Sequence, residues 1–181
     1  MAETESRCLD AFPVWLQSLP DDLGAVAELA DGGELPEDAT RQLFGAVNYL
    51  FKSLDLIPDG IEDLGFIDDA FVLRVAAAAA KGALPAEAPD TGALERLAAE
   101  AELVREFLGD TYERLARFVQ ELSRSSARGR SVDAIVTDAV VRAELMSELK
   151  GWAESYVAPG FARDPKNLVK LRSFLDAKLP A

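Results

Sequence analysis

Between Leu94 and Leu122 the apolar side chains return every three or four residues: Leu94, Leu97, Ala101, Val104, Leu108, then Leu115, Phe118 and Leu122. Thr111 is the one polar residue in that register. The rhythm lays a single apolar seam along an α-helix, because residues three and four apart share a face. It predicts one long helix around 91–124, about 50 Å long at the helical rise. An apolar seam needs a partner to cover it. The helix is therefore either the spine of an antiparallel bundle or a coiled coil that makes a homodimer. Phe107, Tyr112 and Val119 widen the apolar face beyond a two-residue seam, which favours the spine.

The same period runs through the rest of the chain. Leu9, Phe12, Leu16 and Leu19 predict a first helix over 4–18. Pro20-Asp21-Asp22 then starts a short second helix that ends at Asp31-Gly32-Gly33. Pro36-Glu37-Asp38 opens a third, running through Leu43, Phe44, Val47, Leu50 and Phe51. A fourth spans about 66–81 with Gly82 as its C-cap, and its Ala76–Ala80 run lets another helix approach closely. Residues 82–92 are a linker by composition. After the basic turn 123–130, Ser131 caps a helix that continues to Trp152 and Tyr156. Asp164-Pro165 opens a last, basic helix suited to docking against the acidic N-terminal half. No strand pattern, repeat or glycine-rich phosphate loop occurs. The expected fold is all-α: a multi-helix bundle with a helix–turn–helix hairpin around 44–80. Its two regions, an acidic 1–82 and a bundle-forming 83–181, are expected to pack as one globular unit.

The chain has no histidine and a single cysteine, Cys8. Serine or cysteine catalysis with a histidine base is excluded, as are histidine- and thiolate-based zinc sites. An internal disulfide is excluded as well. No catalytic consensus is present, so the balance is against an enzyme. The most apolar run, Phe71–Ala80, carries Arg74 and is half the length of a membrane span, and the polar, acidic start lacks a signal peptide. These features point to a cytoplasmic protein without membrane binding. The net charge of −13 sits in residues 1–70, which hold 16 acids and 3 bases. Nucleic acid, which needs a basic stripe, is an unsuitable partner. A basic protein partner suits the acidic half better, although solubility alone also accounts for the charge.

The densest motif is Asp55-Leu56-Ile57-Pro58-Asp59, followed by an apolar spacer and Gly65-Phe66-Ile67-Asp68-Asp69. It brings Asp55, Asp59, Asp63, Asp68 and Asp69 into one hydrophobic connection. This pattern resembles the core signature of the YkvA-like family, a bacterial domain of unknown function, over about residues 44–75. The resemblance implies a helix–turn–helix hairpin and no established activity.

Two roles fit the aspartates on their own chemistry. In the first they tie down backbone ends. Asp55 caps the turn into Leu56–Pro58, Asp59-Gly60 forms a turn, and Asp68 and Asp69 sit at a helix N-terminus. In the second they hold a hard divalent cation, Mg²⁺ or Ca²⁺, which takes oxygen ligands and needs no histidine. Neighbouring residues on a helix point about 100° apart, so Asp68 and Asp69 are not expected to share one ion. Capping carries no functional consequence; metal ligation does. The functional expectations are then a non-enzymatic scaffold with the acidic hairpin as a docking surface or, alternatively, a metal-binding protein or carboxylate-based metal-dependent hydrolase. A peripheral membrane contact would fall to the basic last helix, against the net charge.

Overall fold

The computed structural model describes residues 2–53, 55–61, 63–88 and 92–181. Its helices are α1 (Ala2–Asp31), α2 (Glu37–Tyr49), α3 (Ile67–Gly82), α4 (Ala93–Leu108), α5 (Tyr112–Leu122), α6 (Val132–Thr137), α7 (Ala139–Ser155) and α8 (Pro165–Lys178). A single 3-10 turn, Gly109–Thr111, separates α4 from α5. The strands β1 (Ser126–Ala127) and β2 (Arg130–Ser131) form a two-residue antiparallel hairpin. The fold is an all-α helical bundle, as the periodicity predicts. Leu54, and residues 89–91 of the expected linker, lie outside the described residues.

The element at the centre is α3. It is buried on every side from Ile67 to Ala77 and touches α1, α2, α4 and α5. Apart from Asp68, Asp69, Arg74 and Lys81 it carries no polar side chain, as suits an interior helix, and its alanines let α4 lie close against it. Phe12, Trp15, Phe71 and Phe107 pack edge to face or tilted around it, with ring centroids 5.0–6.1 Å apart. The buried cluster draws on residues from both sides of the 82–92 connection. Helix α8 packs on α1, with Arg172 reaching Glu5 at 3.8 Å and the Phe107 carbonyl at 3.0 Å.

Four boundaries differ from the sequence reading. Pro20 does not start a new helix; α1 runs straight through it. Proline removes the N–H that would bond the carbonyl of Leu16. Here the Tyr156 hydroxyl donates to that carbonyl instead, at 2.7 Å. With the orphan acceptor satisfied, the continuous stripe Leu16, Leu19, Leu23, Val26 keeps the helix whole. The long helix around 91–124, by contrast, is broken. Gly109 takes φ 55° and ψ −128°, a conformation open to glycine alone, and α4 ends there. The helix expected from Ser131 to Tyr156 divides at Asp138, whose extended backbone ends α6 while its carboxylate accepts from the Val140 N–H at 2.9 Å. Finally, the basic turn closes a β-hairpin over Arg128 and Gly129, both with positive φ. Ser131 and Asp164 cap α6 and α8 as their positions suggest.

Candidate functional site

Residues 50–66 join α2 to α3 and fold back over the first turn of α3. Two side chains hold this return. The Tyr49 hydroxyl donates to Asp68 Oδ2 at 2.6 Å and accepts from the Leu56 N–H at 2.7 Å. Asp68 Oδ2 also accepts from the Ile57 N–H at 3.3 Å. Asp55 therefore does not cap the turn into Leu56–Pro58: Tyr49 and Asp68 take those N–H groups, and Asp55 Oδ1 is buried without a partner. Asp59-Gly60 does form a turn, closed by the Ile61 N–H on the Pro58 carbonyl at 3.0 Å.

Gly65 and Phe66 set the register of the loop. A Cβ on Gly65 would be driven into the carbonyl oxygen of Asp59 and to 3.1 Å from its carbonyl carbon. Only a glycine lets the Asp59 backbone lie there. Phe66, the residue before α3, has φ 65°, a strained choice for an aromatic residue. Its ring packs against the touching pair Trp152 and Tyr156, at centroid distances of 5.9 and 5.3 Å. No side chain caps α3 at that residue. Asp68 and Asp69 sit in the first turn, as the sequence suggests, but Asp68 bonds the loop rather than the helix end.

The consequence is a convergence. One carboxylate oxygen each from Asp59, Asp68 and Asp69 lies within 4.8 Å of the other two. The sequence reading expected Asp68 and Asp69 to diverge. They converge because the loop crosses the helix end, where both faces are reachable, and brings Asp59 to meet them. Asp68 and Asp69 are buried, at 0% and 4% exposure, and the Oδ1 atom of each lacks any hydrogen-bond partner. Asp59 stands at the mouth, open to solvent. Asp55 is half-buried beside them, whereas Asp63, with φ 68°, is outside the group.

Burial dominates the electrostatics. It raises the carboxyl groups of Asp68 and Asp69 above the ordinary range, and their mutual repulsion raises Asp69 further. The Tyr49 hydroxyl and the Ile57 N–H pull Asp68 back in part. Asp55 rises to about 7 through burial and the charges of Asp59 and Asp68, with Lys52 acting weakly against them. The phenols of Tyr49 and Tyr156 rise as well, by burial and then by the same aspartates. Among the described residues no basic group is bonded to any of these carboxylates. Cys8, the lone cysteine, is buried in the core, and burial pushes its thiol up to about 11, that of an inert packing residue.

A second buried charge cluster escaped the sequence reading. Arg74 is wholly buried. Its guanidinium lies 4.0 Å from the Trp15 ring centroid and bonds Glu100 at 2.8 Å, Asp22 at 3.4 Å and the Ala70 carbonyl at 3.1 Å. Arg96 closes the square by pairing with Asp22 and Glu100. Burial lowers Arg74 to about 10 while Glu100 and Asp22 support its charge. The signal in the sequence was an arginine inside the apolar run 71–80.

Residues 42–74 match the family described as a protein of unknown function, DUF1232. The matched segment is the second half of α2, the loop and the first half of α3, so it contains Tyr49 and all five aspartates. It gives a domain of unknown function and does not carry the YkvA-like label. No curated protein and no solved structure matches the chain.

Proposed function

We propose that the matched segment is a binding site for a hard divalent cation, Mg²⁺ or Ca²⁺, ligated by Asp59, Asp68 and Asp69. The observation that carries this reading is the pair of buried, unpartnered oxygens, Asp68 Oδ1 and Asp69 Oδ1, on two carboxylates that each bring an oxygen within 4.8 Å of one from Asp59. A buried carboxylate without a counter-charge, with one oxygen lacking any donor, is costly, by several kcal/mol in real proteins. A cation supplies the missing charge, and all-oxygen ligands select hard ions over zinc or copper. Asp59 at the solvent side provides the entry path. Burial also argues against the docking-surface reading for Asp68 and Asp69, because a partner protein cannot touch them. The ion's role is structural first: it would tie the loop to the start of α3 and so fix the hairpin.

The test is thermal unfolding with and without millimolar Mg²⁺ or Ca²⁺ at pH 8. The wild-type melting temperature rises with one of these ions, and Asp69→Asn removes the rise. A wild-type protein indifferent to both ions, with Asp68 and Asp69 sharing a proton instead, would refute the proposal.

A further inference from the structure

The chain has far more acids than bases, so an arginine without an acidic partner is unusual in it. Eleven arginines hold a carboxylate each. Among the described residues two do not, Arg117 and Arg124, and both open into the same groove. The groove, of about 800 Å³, lies between α2 and α5 over the small-residue face of α3 formed by Ala78 and Ala79. Its size is that of a small-molecule site. Arg41 and Arg105 stand at its walls but are committed, Arg41 to Glu37 and Asp133, Arg105 to Glu113 while stacked on Tyr112 at 4.2 Å. Asp38, the lining acid with no basic partner, lies in the first turn of α2, where the helix dipole holds its charge.

One further feature describes the occupant. Arg117 and Arg124 are seven residues apart, the second in the turn that closes α5, so their Cα atoms stand about 10 Å apart along one face. A ligand therefore meets two separated cations. Guanidinium groups suit phosphate and carboxylate through paired N–H donors.

We propose that this groove binds a doubly anionic small molecule, with an anionic group toward each of Arg117 and Arg124. The site is independent of the aspartate cluster. Phosphate and carboxylate end groups share the chemistry, and the probes separate them. Fructose 1,6-bisphosphate, with phosphates at both ends and hydroxyls between, and the plain dicarboxylate adipate are titrated into the full chain by calorimetry, with magnesium present throughout. Wild type is compared with the double variant Arg117→Ala, Arg124→Ala; both side chains are exposed and unbonded, so the fold is unaffected, and circular dichroism checks this. At least one probe binds wild type, and the double variant binds it about tenfold more weakly or worse. No binding of either probe to wild type at millimolar concentration, or equal affinity in the double variant, overturns the proposal.

Discussion

The two buried charge clusters differ in one respect. Around Arg74, two bases meet two acids: Asp22 and Glu100 bond Arg74 and Arg96, and the Trp15 ring covers the guanidinium. Around Asp68, the carboxylates of Asp55, Asp59 and Asp69 gather with a phenol, and among the described residues no base bonds any of them. The first cluster is complete within the chain and joins α1, α3 and α4. The second lacks its counter-charge. A closed ion network is a structural device, whereas a cluster short of positive charge is what the proposed cation would complete.

Substitutions sharpen that contrast. The largest loss is expected at the complete cluster: Arg74→Ala takes the buried guanidinium from Asp22 and Glu100 and empties the space against the Trp15 ring, and should lower stability by about 3–5 kcal/mol in urea unfolding. Pairing Arg74→Met with Asp22→Leu should recover most of it. At the incomplete cluster, Gly65→Ala forces the Asp59 backbone away and should lower stability by roughly 1–3 kcal/mol. It should abolish any thermal response to Mg²⁺ or Ca²⁺ at the same time. Tyr49→Phe takes away the donor to Asp68 and the acceptor for Leu56, for about 1–2 kcal/mol, with the ion response weakened but kept.

The smallest effect has the opposite sign. Asp69→Asn removes a buried charge that nothing in the chain balances, so the ion-free protein should gain on the order of 1 kcal/mol at pH 8. The pH dependence follows from the raised carboxyl groups. Between the ordinary carboxylate range and about 7, the value for Asp55, the folded chain holds protons that the unfolded chain has lost. Stability from these groups is present below that window and falls as pH rises through it. The ion-free protein should therefore melt higher at pH 5 than at pH 8 as far as this cluster is concerned. Saturating cation, or Asp69→Asn, should narrow the gap. For the Arg74 cluster the same pH change should do nothing, since both of its bases stay charged.

Much of the architecture was legible because helices packed in a bundle must show the three-and-four period, and Leu94–Leu122 or Leu168, Leu171, Leu175 show it plainly. What stayed hidden depends on partners remote in sequence. Pro20 reads as a helix start until Tyr156 is seen bonding Leu16. Gly109 sits between two good helical stretches, and its left-handed backbone leaves no trace in the apolar spacing. The five aspartates were visible as a set, but the loop's return over α3 decides which of them meet. Asp63 falls outside and Asp69 inside for that reason, and the role of Tyr49 follows from the same return. The Arg74 network joins three helices, so no local pattern announces it.

The central claim is that Asp59, Asp68 and Asp69 hold a cation. Crystals grown with Mn²⁺, an anomalous scatterer that takes the same oxygen ligands, test it most directly. The account predicts an anomalous difference peak about 2.2 Å from one oxygen of each of these three carboxylates. A map with no peak there, and Asp68 and Asp69 joined through a single shared proton, would contradict it.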